Sequence, residues 1–187
     1  MTDPTAATFL ASARQRFAEY RRLAERALGQ VDDDAFFHRL SAEVDPLAVT
    51  VKHVGGNLRS RWRDPLTTDG EKPDRQRDTE FVLTPEDTRA ALMARWAEGW
   101  DLCFGALDAF TEADVLATLT IRHEPHTVLD AVHRSLAHTA YHVGQIVLLA
   151  KHHAGEGWQT LSVPRGGTEA FNAEMARQRG ANPPVGP

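Results

Sequence analysis

At 187 residues, with 42% apolar and 25% charged residues, the chain has the length and composition of one globular domain that can bury a core, not those of a disordered tail or a membrane protein. Its formal charge of −5 argues against a nucleic-acid partner, and Cys103, its single cysteine, excludes an internal disulfide and a cysteine-based zinc site within one chain. No apolar run approaches the roughly 20 residues of a membrane-spanning helix and the first residues show no signal-peptide pattern, so we expect one cytoplasmic domain over 1–187 with a Gly/Pro-rich, mobile tail from about 178.

Taken in order, residues 5–29 place Phe9, Ala13, Phe17, Tyr20, Ala24, Ala27 and Leu28 at helical spacing, and Gly29 supplies a stop. In the stretch VDDDAFFHRL that follows, Asp32 to Asp34 can cap a short turn that tucks Phe36 and Phe37 inward, with His38 at the surface or rim. Asp45 and Pro46 then form a helix-start signal, and a second helix is expected to run to Trp62 with Val51, Val54, Leu58 and Trp62 as its apolar stripe. Gly55 and Gly56 would let a neighbouring backbone come close. Arg59, Arg61 and Arg63 read as a solvated helix end.

From Arg63 to Leu83 no period persists, and prolines, a glycine and charges predict a long crossover. A connection of about 20 residues is unusual unless functional or forced by topology, and a bundle whose consecutive helices are not neighbours supplies such a reason. Thr84, Pro85 and Asp87 repeat the start signal for a third helix to about Ala109, with a strong stripe of Met93, Trp96, Trp100, Cys103, Phe104, Leu107 and Phe110. Cys103 on that stripe reads as a buried core thiol. The stretch TEADVLATLTIRHEPH breaks the period and allows a short extended piece at Leu119 to Ile121. It does not make the HExxH zinc-protease pattern, because position 127 is threonine and Pro125 breaks the turn. Thr127 with Asp130 resembles a capping box for a fourth helix reaching about His153, and a helix-compatible piece lies around Thr168 to Arg177.

The fourth helix contains LAHTAYHVGQIVLLAK, which sets His138 and His142 one turn apart, so that a single metal ion could sit between them. Nine histidines give about 0.4 such pairs by chance, and a zinc-type catalytic ion takes three protein ligands, so a further ligand has to come from elsewhere. The pair lies at the edge of its helix's apolar stripe. His53 stands about 140° from the centre of its own stripe, which by periodicity alone makes it exposed. His126 could line a rim, His133 is out of phase with the pair, and His152 and His153 suit a helix end.

The ordered set VKHVGGNLRSRW, TTDGEKP, LAHTAYHVGQIVLLAK and LSVPRGGTEAFN resembles the DinB/YfiT-like superfamily, and within it a subfamily described as a bacterial domain of unknown function. The resemblance implies an all-α fold, a four-helix bundle with a long crossover between its second and third helices. It also implies a metal site that joins a histidine of the second helix to an HxxxH pair of the fourth. Here those positions are His53, His138 and His142. Asn57 and Gln145, each about one turn beyond a ligand, are candidates for hydrogen bonds behind the ligands. Imidazole ligands suit a divalent transition metal, Zn or Ni foremost, with Fe, Mn and Cu also compatible.

The resemblance points further to a small-molecule substrate, a low-molecular-weight thiol as cosubstrate in an S-transferase-like reaction, and a homodimer. Water activation in a hydrolase and a non-catalytic, stress-associated metal-binding or interaction module are the alternatives. No residue in the sequence stands out as a dedicated general base.

Overall fold

The computed structural model describes residues 4–181, and the protein is mostly helical. The helices are α1 (Pro4–Leu28), α2 (Asp33–Phe37), α3 (Leu47–Trp62), α4 (Arg89–Ala109), α5 (Val128–Ala154) and α6 (Thr168–Ala181). Between α4 and α5 lies an antiparallel hairpin of β1 (Thr118–Ile121) and β2 (Glu124–Thr127), in which Leu119 faces His126. The expected tail from about 178 is helical to Ala181 in α6, and its remainder lies outside the described residues. No helix among the described residues is long and apolar enough to cross a membrane.

α3 packs chiefly on α4, and α1 on α5, while α3 also touches α5. The α3–α4 approach is set by two glycines. A Cβ on Gly99 would stand 2.6 Å from the Gly55 carbonyl oxygen, and one on Gly55 would stand 3.1 Å from that of Arg95, so the two backbones touch where side chains are missing. Around this contact Phe17 meets Trp62 and Trp100 edge to face, and Trp96 meets Trp100 in the same way at 5.5 Å between centroids. Cys103 is fully buried in this core, and burial pushes its thiol pKa up.

The local signals act largely through hydrogen bonds. Asp32 caps α2 by accepting from the Ala35 amide, which turns Phe36 into the core. Thr127 caps α5 by accepting from the Asp130 amide at 3.1 Å. Arg89, the first residue of α4, donates to the carbonyl of Leu28 at the end of α1 and to that of Val31 just beyond it.

Two starts differ from expectation. α4 begins at Arg89, not at Thr84, because Asp87 accepts from the Thr84 amide and from Lys52 and closes a turn, leaving Thr88 to cap the helix through the Ala91 amide. At α3, Pro46 takes the cap position without a side-chain bond, and Asp45 pairs with Arg39 at 3.1 Å instead.

The hairpin exceeds the expected short extended piece. Its turn places Arg122 and His123 at φ 54° and 65°, and Asp69 of the crossover accepts both of their amides at 2.9 and 2.8 Å. Positive φ at two consecutive residues is the backbone of a tight hairpin turn, usually built with Asn or Gly. Here an outside carboxylate holds that shape.

Candidate metal centre

α3 supplies His53 and α5 supplies His138 and His142. The i, i+4 spacing on α5 brings the latter two rings to 4.5 Å between centroids, and His53 stands 5.2 Å from His138 and 4.9 Å from His142. One nitrogen of each ring lies within 4.8 Å of the others, so the three form a group that could hold a metal ion. The Nε2 atoms of His53 and His138 are 3.2 Å apart. Two imidazoles bound to one tetrahedral ion at about 2.05 Å would have nitrogens about 3.3 Å apart. The donor set fits the group that the sequence implies.

Polar partners fix two of the rings. His53 Nδ1 lies 2.8 Å from Glu80 Oε2, and an ionised carboxylate only accepts, so Nδ1 carries the proton and Nε2 the lone pair in the neutral ring. His142 Nδ1 likewise donates to Gln145 Oε1 at 2.7 Å. Burial, reinforced by the His142 and His53 rings and then by Arg75 and Arg61, pushes the His138 pKa down to about 3. Burial also lowers His142, opposed by the Gln145 hydrogen bond. These two rings are therefore neutral at pH 7, the state a metal ligand requires. Asn57 is buried in a cavity wall beside His53 and makes no hydrogen bond to it among the described residues.

His53 is buried at 5% exposure, contrary to its place on the helical wheel. The stripe argument assumes that one face of a helix meets the core and the other meets water. α3 meets protein on nearly every side: α4 lies against it at Gly55, α5 passes its histidine, and the crossover folds over the remaining face. There the single turn Arg77–Phe81 sets the Phe81 ring 4.9 Å from the imidazole and brings Glu80 alongside.

Glu80 is the residue that sequence reasoning missed. It is 7% exposed and also accepts two bonds from Arg75, at 2.9 and 3.0 Å. Burial raises its pKa, but the bonds from His53 and Arg75 outweigh burial and the net shift is down. The available signal was coarse: an acid in a crossover too long to be idle. Lysine, aspartate and arginine neighbours in that aperiodic segment look no different.

The arginines of the α3 end are not all solvated either. The Arg61 side chain is 11% exposed, donates to the Gly70 carbonyl and pairs with Glu71 at 3.2 Å, while Arg59 and Arg63 share Asp74. The other histidines lie outside the group. His126 bonds Asp130 at 2.5 Å, His133 packs on Phe9, and His38 meets His153.

Space opens on both sides of the three rings. A cavity of about 190 Å³ reaches His53 and His138 and is bounded by the hairpin and by arginines of the crossover. A groove of about 450 Å³ reaches His53, His142 and Gln145 beside Phe81 and Tyr141. No fourth histidine, cysteine or carboxylate joins the group among the described residues, so an ion held by these three rings would keep positions open toward those spaces.

The model of a protein family described as "Protein of unknown function (DUF1572)" matches residues 4–167. No curated protein and no solved structure matches the chain.

Proposed function

We propose, for a chain that belongs to the DUF1572 family of proteins of unknown function, that it is a metal-dependent enzyme of the DinB/YfiT-like kind, a four-helix bundle of α1, α3, α4 and α5 that transfers a thiol to a small electrophilic substrate. The observation that carries this reading is the convergence of His53, His138 and His142 without a fourth ligand among the described residues, with Glu80 and Gln145 orienting two of the rings from behind. A catalytic site keeps positions open and a purely structural one closes them. When bound, a divalent ion supplies Lewis-acid activation of a thiol, or of water, near neutral pH.

The remaining work falls to the chain. Glu80 keeps the His53 proton on Nδ1, Gln145 does the same at His142, and burial keeps His138 uncharged. Phe81 and Tyr141 wall the groove beside His142. The reacting thiol comes from a cosubstrate, since Cys103 is buried in the core with its pKa raised.

The test has two stages. Protein stripped with a chelator and reloaded with Zn or Ni should take up about one ion per chain by elemental analysis, and His138→Ala should lose it while His133→Ala keeps it. Loaded protein is then given a panel of low-molecular-weight thiols with alkylating electrophiles, and a parallel panel of esters and amides. Thiol consumption that requires the metal supports the transferase. Turnover confined to the second panel replaces it with a hydrolase, and failure of the wild type to retain any metal overturns the whole reading.

A further inference from the structure

We propose that the cavity of about 190 Å³ beside His53 and His138 is an oxyanion subsite, which holds a carboxylate, phosphate or sulfonate group of the substrate while the rest of the molecule reaches the three histidines. Its role as a substrate subsite rests on the reading of the histidine group as the reactive centre. The anion site itself rests on the cavity's own residues.

Five arginines, Arg61, Arg75, Arg77, Arg122 and Arg134, are among the described residues that line this cavity. The carboxylates against them are fewer and already shared. Glu71 serves Arg61 at 3.2 Å, Arg122 at 3.0 Å and Arg75 at 3.6 Å, while Glu80 is committed to Arg75 and His53. Arg77 lies over the Phe81 ring and, among the described residues, pairs only with the fully exposed Asp78, at 3.6 Å. Arg134 has no carboxylate partner among the described residues. Positive charge exceeds negative charge around a partly open cavity, and an anion is the ligand that such a field concentrates.

A second observation points the same way. The Arg75 side chain is 4% exposed, and its buried Nη1 makes no hydrogen bond, facing only at 3.6 Å a Glu71 oxygen that also serves Arg61 and Arg122. Nε and Nη2 of the same guanidinium each donate to Glu80. Buried charged donors are seldom left idle, because the unmade bond costs most where water is scarce. An oxyanion in the cavity would give this guanidinium a closer acceptor than Glu71 once Nη1 turns to meet it, and guanidinium groups recognise carboxylate and phosphate oxygens in this way. At about 30 Å³ per water the space holds roughly six waters, enough for one such group on a short carbon stem and too little for a macromolecule.

The fold makes the cavity from four separate stretches, with Arg134 supplied by α5. Arg61 comes from α3, Arg75 and Arg77 from the crossover, and Arg122 from the hairpin turn that Asp69 holds against that crossover. The wall opposite is α5, with Ser135 accepting from the Trp62 indole at 3.2 Å and His138 one turn further on.

Inorganic phosphate and malonate are titrated by calorimetry into chelator-treated wild-type protein at low ionic strength, and zinc uptake is measured on the same preparation. At least one of the two should bind with Kd below about 10 mM, and Arg75→Gln should weaken it about tenfold or more. Arg75 also steadies Glu80, so Arg134→Gln and Arg77→Gln, at exposed positions, serve as second variants, each expected to weaken binding several-fold, while the remote Arg39→Gln should not. Preference for phosphate or for malonate tells a phosphoryl-like group from a carboxylate. The proposal is overturned if neither anion saturates below about 10 mM, or if both exposed-arginine variants bind as the wild type does. Zinc uptake without anion binding would remove this subsite and leave the metal reading intact. Anion binding without zinc uptake would do the reverse, leaving the anion site and removing its catalytic setting.

Discussion

The Glu80 carboxylate rests against the Cα of Gly56, in the space that a Cβ at position 56 would fill. The glycine therefore keeps a place open for the group that orients His53 from the far side of its ring.

From this contact, Gly56→Ala should displace the Glu80 carboxylate while leaving α3 helical, since alanine is the better helix former. Loss of a carboxylate behind a metal-ligating histidine typically weakens metal binding about 10- to 100-fold. We expect Gly56→Ala and Glu80→Gln each to weaken zinc binding within that range, measured by competition with a chromophoric chelator. Wild-type affinity in both variants would show that the Glu80 bond does not matter to the site.

Gly99 meets the Gly55 backbone, not a flexible side chain, so Gly99→Ala forces α3 and α4 apart. Overpacking typically costs about 1 to 3 kcal/mol, against a gain of up to about 1 kcal/mol from helix propensity. Urea denaturation should show a net loss of stability. In contrast, Gly105→Ala on the same helix has open space at its Cβ position and should be neutral or stabilising.

Asp87 supplies a test in acid. Its side chain is 2% exposed, and burial raises its pKa, but the bond from Lys52 at 2.7 Å, the Thr84 amide and the Arg95 charge outweigh burial and hold it below the usual range. A depressed folded pKa means that the unfolded chain binds the proton first. The stabilisation is therefore complete above the unfolded value of about 3.9 and is lost as pH falls through the lower folded value. At pH 7, Asp87→Ala should cost about 3 to 5 kcal/mol, because it strands Lys52 as an unpaired buried charge. The gap between wild type and variant in denaturant midpoint should narrow as pH is taken below about 4.

Cys103 should be inert to a thiol-specific reagent in native protein and react only in denaturant, since it is fully buried with a raised pKa. Rapid labelling of native protein would contradict both the packing of α4 and the exclusion of this thiol from the reaction.

What could be read from the residues depended on whether a local rule governed the position. α4 and α5 carry long apolar stripes that pack as the period requires, and the caps at Asp32 and Thr127 make the hydrogen bonds that their residue types imply. His53 was misplaced by the same logic, because the wheel cannot know that an aperiodic crossover will cover a polar face. Glu80 had no periodicity to mark it. The hairpin turn was hidden because Arg122 and His123 are not turn formers, and the carboxylate that makes their conformation affordable lies more than fifty residues earlier. The convergence of three histidines from two helices likewise needs the α3–α5 contact, which neither helix encodes alone.

The dependence of that turn on Asp69 also orders assembly. A hairpin that lacks its own Asn-Gly signal has little reason to close until the crossover is in place, and two strands alone are marginally stable in water. One wall of the arginine cavity, the turn that carries Arg122, is therefore only as firm as the crossover that holds it.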